Sequence, residues 1–411
     1  MSGDFYSEAE TRPPQQREEE LLKALPAFVS AAKQNTSAYA EILRDINPQD
    51  INSRAALAQV PAVDKSELIA AQEQSPPFAG MECFDVAAPR RFFMSPGPIA
   101  ECDFDMRDYW RTAAPLYAAG LRRGMVLHNS FSYHFTPAGH MCEDGAAALG
   151  ATVFAAGTGN GEQQARALAR FGAHMYCGTP DFLRVILTHA DDAGISAPTL
   201  TMASFSGGYF SPELREYYQS RNIAAKQWYG TADCGAIAYE TVSGAPLVVV
   251  ENMLVEVVDP ETRMPLSAGE KGEVLITNFN PALPLLRFSL GDLSAEVAGV
   301  SDCGRTNMRL AGWLGRCDAA VKVKGMFVHP AQIKRALARV PEVSRAQLVV
   351  ESDAEGRDRM CLCCMADSHT DSLRAQIAAA LREETKLGGD VQFVDSVDEP
   401  LIMDKRPPPE K

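Results

Sequence analysis

Six segments of this chain combine residue types that could act on a ligand. Trp228-Tyr-Gly-Thr-Ala-Asp233 sets an aromatic ring close to a carboxylate. Tyr229 can stack on a flat base, and Asp233 is a hard oxygen donor suited to Mg2+. Asp292, closing Leu286-Arg-Phe-Ser-Leu-Gly-Asp292, can accept both hydrogen bonds of a sugar diol, and Arg316 can hold a sugar oxygen or a phosphate. Taken separately, the last two also read as a surface ion pair, which is worth little. Phe205-Ser-Gly-Gly-Tyr209 has glycines where a flat ligand could approach the backbone. Ser95-Pro-Gly-Pro-Ile-Ala-Glu101 follows an apolar run and could turn N–H groups toward a phosphate. Its two prolines supply no N–H, and an ordinary turn is the stronger reading. Gly157-Thr-Gly-Asn-Gly-Glu162 imitates a dinucleotide fingerprint, but the last glycine position falls on Glu162. A generic strand-to-helix turn describes it better.

The elements around these segments predict an α/β fold. Leu21, Leu25, Phe28 and Ala32 form one stripe of a helix over about 16–33, with a kink or break at Pro26. Asp64-Lys-Ser-Glu reads as a helix start. From 125 onward, apolar runs at 125–127, 151–156, 174–177 and 199–205 alternate with helical patterns at 163–171 and 181–189. That alternation indicates crossovers and a largely parallel sheet. Shorter runs at 246–250, 254–258 and 272–277 suggest an antiparallel subdomain. The last hundred residues read as a small α+β unit. Its strands lie at 320–324, 346–351, 359–366 and 391–394, and its helices at 330–339 and around Leu373, Ile377 and Leu381. The strand at 391–394 is read as the last, ahead of a proline-rich tail.

The 411 residues carry 39 basic and 53 acidic side chains, a net charge of −14. A nucleic-acid partner is therefore not expected, because phosphate backbones need a basic face. A small anion answers to local charge and stays open. No apolar run reaches the roughly 18 residues of a membrane span, and the polar start lacks a signal-peptide core. A cytoplasmic protein without a membrane partner is expected. The ten cysteines are scattered except for Cys361, Cys363 and Cys364, which read as buried thiols in a strand.

Taken in order, the segments resemble the phenylacetate–coenzyme A ligase branch of the adenylate-forming enzymes. Tyr229-Gly-Thr-Ala-Asp233 resembles that family's Y-G-L-S-E, and Phe288-Ser-Leu-Gly-Asp292 its Y-R-T-G-D. Gly315-Arg-Cys-Asp through Gly325 to Ile333 resembles G-R-S-D-D-M-L-I-I-R-G-V-N-V-F-P-T-Q-I. Phe131-Ser-Tyr133 with Gly139 and Gly145, and Gly178-Thr-Pro180, match the branch's Y-G-Y…G…G and G-T-P. The resemblance implies a large N-terminal domain over 1–316, a small mobile lid over 317–411 and a hinge at Asp318. It also implies a two-step reaction. A carboxylate attacks the α-phosphate of Mg2+·ATP, and a thiol such as coenzyme A or a carrier-protein thiol then displaces AMP. By resemblance Gly207, Gly208 and Tyr209 lie near the adenine and Tyr229 stacks on it. Thr231 or Ala232 lies near the phosphate, Gly230 belongs to the nucleotide site, Asp292 and Arg316 take the ribose, Ser95 and Gly97 belong to the phosphate loop, and Asp233 holds the metal.

Several positions depart from the family pattern. The loop S-S-G-T-T-G-x-P is reduced to Ser95-Pro-Gly-Pro-Ile-Ala-Glu101, which places Glu101 in the phosphate loop as a repulsive charge. Lost hydrogen bonds to charged phosphate are worth about 1.5–3 kcal/mol each. Asp233 is one methylene shorter than glutamate. Tyr209 and Phe210 replace a glutamate and a proline and make the wall near the ligand more aromatic. The segment carrying the family's C-terminal lysine is missing. Lys405 and Lys411 are candidates to replace it, with Lys322 and Lys324 as further cations, and whether any of them does so stays open. Tyr239-Glu-Thr241 stands where some relatives have a zinc-binding cysteine, so no zinc is expected. Tyr133, His134, Phe135 and Tyr209 would line the acyl pocket, with His134 either touching the carboxylate or packing as an aromatic. These features predict activation of an aryl carboxylic acid in specialised, antibiotic-type metabolism, by a chain able to form a homodimer. The alternative is a nucleotide-binding or scaffold protein without turnover. An oxidoreductase built on Gly157–Gly161 is the weakest reading.

Overall fold

The computed structural model describes residues 4–84, 88–96, 98–317, 321–324, 326–328, 330–353, 357–397 and 401–406. The chain divides into two compact units, Met1–Cys317 and Asp318–Lys411.

The first unit is built on an eight-stranded sheet. Five strands run parallel, in the spatial order Thr152–Ala155, Val126–Asn129, Met175–Gly178, Met202–Phe205 and Ala224–Thr231. The first of these in the chain therefore lies second in space. The sheet grows one way to Thr152–Ala155 and then the other way from Met175–Gly178. Such a reversal opens a crevice beyond the carboxyl ends of the strands, where α/β sheets bind ligands. Residues 130–136, Gly178-Thr-Pro180, Ser206-Gly-Gly208 and Thr231 all follow those ends. Antiparallel strands Gly235–Tyr239, Leu247–Val249 and Arg309–Leu310 extend the sheet.

A second sheet joins Leu254–Val258, Lys271–Thr277 and Phe288–Ala295, with the short Val63–Asp64 parallel to the last. Arg287 fixes that junction. It is 1% exposed, pairs with Glu256 at 3.1 Å, and donates to the carbonyls of Ala58 at 2.9 Å and Val60 at 2.7 Å. It thereby holds the segment before Val63, and the helix Lys65–Gln74 starts immediately after Asp64.

Pro26 does not break the first helix, which runs Pro14–Asn35 through it. A proline inside a helix costs about 3 kcal/mol. Burying each of Leu21, Leu25 and Val29 returns about 1.5–3 kcal/mol, so the packed stripe outweighs the missing N–H. The segment 92–101 also differs from the expected loop. Strands Arg91–Ser95 and Ile99–Asp103 form a hairpin with Ser95 opposite Ile99. Only three positions, 96–98, separate the two strands, too few to wrap a phosphate chain, and Gly97 among them lies outside the described residues.

The second unit has a four-stranded sheet in the order Asp390–Phe393, Asp358–Ala366, Val343–Ser352, Ile402–Asp404, with helices Pro330–Ala338 and Asp371–Thr385. Leu373, Ile377 and Leu381 share the buried face of the latter helix. Cys364 is buried, whereas Cys361 and Cys363 alternate onto a half-exposed face. The strand Asp390–Phe393 is not the last. Ile402–Asp404 follows and pairs in parallel with Val343–Ser352, burying Ile402 against the core. Three residues are too short for periodicity to reveal.

Candidate active site

Asp292 is the centre of the first cluster. It is 3% exposed and accepts from Tyr229 Oη at 2.7 Å on Oδ2, and from Trp313 Nε1 and Arg316 Nη1, each at 3.1 Å, on Oδ1. Two adjacent ladder contacts hold the arginine there: Leu293 N–H to Gly315 O and Cys317 N–H to Gly291 O, both 2.9 Å. Burial, and then the Asp292 carboxylate, hold the Tyr229 hydroxyl well above its usual range, so it stays a donor. A carboxylate offers about four acceptor positions. Three are used among the described contacts, which leaves one for a ligand hydroxyl. Trp313 was not foreseen. Its signal was an aromatic residue between Gly312 and Gly315, just before Arg316.

Tyr229 and Asp233 lie on either side of a tight corner. The strand Ala224–Thr231 turns into Gly235–Tyr239, and Thr231 Oγ1 accepts from Cys234 N–H at 3.2 Å. Gly230 has to be glycine, because a Cβ there would lie 2.5 Å from Gly235 O. This corner delivers Asp233 to a second cluster. Lys65 Nζ lies 2.6 Å from Asp233 Oδ2, with side-chain exposures of 28% and 4%. Asp233 Oδ1 is buried with no hydrogen-bond partner.

Glu101 completes the second cluster and corrects its assignment to a loop. It sits on the strand Ile99–Asp103, 2% exposed. Its Oε2 accepts from Ser95 N–H at 3.2 Å and Ser95 Oγ at 2.9 Å, and its Oε1 is buried without a partner. Burial, and then the Asp233 charge, push the Glu101 carboxyl up to about 8, against the pull of Lys65. Burial lowers Lys65, but the Asp233 charge and hydrogen bond carry it above its usual value. The sign for stability follows. A carboxyl raised by folding contributes most below its unfolded value of 4.5, and that contribution is lost as pH rises through about 8. Chemical denaturation across this range should therefore show a stability decline that Glu101→Gln reduces. An identical slope in the variant counts against a raised Glu101.

An aromatic wall borders the crevice at residues 131–140. Asn129 Nδ2 donates to Tyr133 Oη and to Gly139 O, each at 2.8 Å. The His140 ring lies 5.0 Å from Tyr133 and 5.5 Å from Phe93. Its Nδ1 is buried without a partner, and burial, with Arg91 nearby, lowers its pKa. The expected histidine, His134, is instead exposed on a turn that Ser132 closes. His140 follows Gly139 in the first turn of the helix Ala138–Leu149, a position legible only once that helix start is known. Phe135 and Tyr209 are exposed. Phe210 is not part of the wall. It is buried edge-on against Phe205 at 4.8 Å, under the Arg215 guanidinium. Gly207 has φ +73, and a Cβ on Gly208 would meet Pro180 at 3.0 Å, so the two glycines follow the G-T-P turn closely.

The loop at Gly157–Gly161 is closed by a side chain. Gln164 Nε2 donates to Gly157 O and Gly159 O, each at 2.8 Å. Carbonyls held this way do not form a cradle of N–H groups.

The family model described as AMP-binding enzyme matches residues 111–282. The phenylacetate–coenzyme A ligase of Thermus thermophilus is 30% identical over 250 residues, 59% of this chain and 56% of that protein. That of Aromatoleum evansii is 25% identical over 352 residues, 82% of this chain and 78% of that one. Residues 111–282 carry the AMP-binding enzyme match, and the chain is phenylacetate–coenzyme A ligase-like. It spans a little over half the length of the Thermus ligase in that match. The adenylate-forming fold is shared with a crystal structure of 2-hydroxyisobutyryl-CoA ligase in complex with 2-HIB-AMP and CoA. The TM-score is 0.89 at 20% identity, covering 97% of this chain and 91% of that one. The first unit brings Tyr229, Asp292 and Arg316 together in one cluster and Lys65 and Asp233 in another, with Ser95 beside Glu101.

Lys405 belongs to the second unit. Its backbone N–H donates to Val350 O, and its Nζ lies 3.3 Å from Glu351 Oε1 on an exposed edge. Lys324 N–H donates to Asp358 Oδ2 at 2.7 Å. Asp318 and Lys411 lie outside the described residues.

Proposed function

We propose that this chain binds the adenosine of ATP or AMP at Asp292 and activates an aromatic carboxylic acid as its acyl-adenylate, for transfer to a thiol such as coenzyme A. The observation that carries this reading is Asp292, buried and held by Tyr229, Trp313 and Arg316 with an acceptor position to spare. A sugar hydroxyl fits that position, and the Tyr229 ring beside it offers a stacking face. The aromatic wall of Tyr133, His140 and Phe93 favours a planar aryl acid, because ring faces stack or meet edge to face. Attack of a carboxylate on a phosphate brings two anions together, so the site has to supply positive charge. Lys65 is the nearby cation at Asp233.

Mg2+ fits the donor set in one respect. Asp233 Oδ1 is a buried, unpartnered hard oxygen, while Oδ2 is committed to Lys65. When bound, the metal would neutralise phosphate charge. The short three-position connection between Ser95 and Ile99, in place of a phosphate loop, suits a slow, narrow enzyme of specialised, antibiotic-type metabolism. Among the described residues no helix is long and apolar enough to cross a membrane.

The test is ATP–pyrophosphate exchange with a panel of aryl acids, beside calorimetry with AMP. Exchange with at least one acid is expected. AMP binding without exchange for any acid would sink the enzyme reading and leave a nucleotide-binding protein. That second reading is favoured by the Ser95 donors, which are already satisfied within the chain.

A further inference from the structure

Glu101 lies on the inward face of its hairpin. Phe93, Ser95, Ile99 and Glu101 are all buried, and Glu101 stands opposite Phe93 in register. Its side chain reaches diagonally along that face to Ser95, as cross-strand neighbours two residues off register can. An apolar residue would fill this position without penalty. A carboxyl is unfavourable there unless its oxygens find donors, and one of them, Oε1, finds none. The other takes both donors of Ser95, the residue just before the three-position connection. Lys65 and Asp233 are the charged groups that face it. The two Ser95 donors, with the Lys65 ammonium held nearby on Asp233, make an anion site that the Glu101 carboxyl fills.

We propose that Glu101 occupies the subsite for the outer phosphates, so that the site favours AMP and acyl-adenylates over ATP and pyrophosphate. The nucleotide half of this statement rests on the function proposed above; the phosphate half does not. The carboxyl blocks Ser95 in either protonation state, and when ionised it also repels an incoming phosphate. Polyphosphate binds only when Glu101 swings off Ser95.

Calorimetry of AMP, ATP and inorganic pyrophosphate with the full chain tests this. Wild type should bind AMP about tenfold more tightly than ATP, and Glu101→Ala should gain about tenfold or more for ATP and pyrophosphate, the scale of one or two hydrogen bonds to a charged group. AMP affinity should hardly change. Glu101→Gln keeps the Ser95 contacts without an ionisable charge and guards against misfolding of the alanine variant. At about pH 9 it should bind pyrophosphate more tightly than wild type, and at about pH 6 the two should match, because only ionised glutamate repels. Unchanged pyrophosphate affinity in Glu101→Ala, with Glu101→Gln equal to wild type at both pH values, would overturn the proposal. If AMP fails to bind any variant, the nucleotide reading falls, and the pyrophosphate comparison still decides the role of Glu101.

Discussion

Replacing Asp292 with alanine should weaken AMP binding by about tenfold to a hundredfold, the loss expected for one hydrogen bond to a charged acceptor. It should also lower folding stability by about 3 kcal/mol, since it breaks a buried ion pair from one side. Both effects come from one carboxylate. Arg316, with its side chain 6% exposed, loses the group at 3.1 Å that balances it, and Tyr229 and Trp313 lose their acceptor. Asp292→Asn separates the two contributions. The amide keeps one oxygen acceptor but no charge, so stability should recover in part while AMP binding stays weak. Titration calorimetry and urea unfolding on the same preparations check this. Wild-type AMP affinity in Asp292→Ala would remove the carboxylate from the ligand site.

The second large effect is at Lys65. Lys65→Met should cost about 2 kcal/mol near neutral pH, less than a fully buried pair, because the lysine side chain is 28% exposed and partly screened. Asp233, with its side chain 4% exposed, is then left beside Glu101 without its cation. Lys65 is the charge that opposes the upward shift of Glu101, so its removal should raise that carboxyl further. The stability decline with pH should then move to higher pH. A double-mutant cycle with Asp233→Asn isolates the pair, and a coupling near zero would show that the bridge contributes nothing.

Lys65 also shows what a linear reading misses. In the sequence it is the second residue of an unremarkable helix start. It reaches Asp233, which lies 168 positions away, only because Val63–Asp64 adds to the second sheet beside Phe288–Ala295. That pairing depends on Arg287, whose guanidinium holds the carbonyls of Ala58 and Val60. Glu101 shows the reverse case. It was visible and was read as a loop charge, because sequence cannot tell a three-position connection from a longer loop when both prolines sit in it. The exchange of His134 for His140 has a similar cause. Both follow Tyr133 within seven residues in sequence, and only the start of the helix Ala138–Leu149 decides which ring turns inward.

The sequence by itself determined the alternation that makes a parallel sheet, the small α+β unit after it, and the ordered motifs at Tyr229, Asp233, Asp292 and Arg316. These are local facts. Periodicity and short spacings report on neighbours along the chain, and motif order survives large drift elsewhere. The tertiary structure decided which charges meet. It set Lys65 against Asp233, turned Glu101 onto Ser95, and gave Asp292 three donors from two separate segments. The reason is that electrostatic partners are chosen by distance across the fold and by burial. Neither is encoded in spacing along the chain.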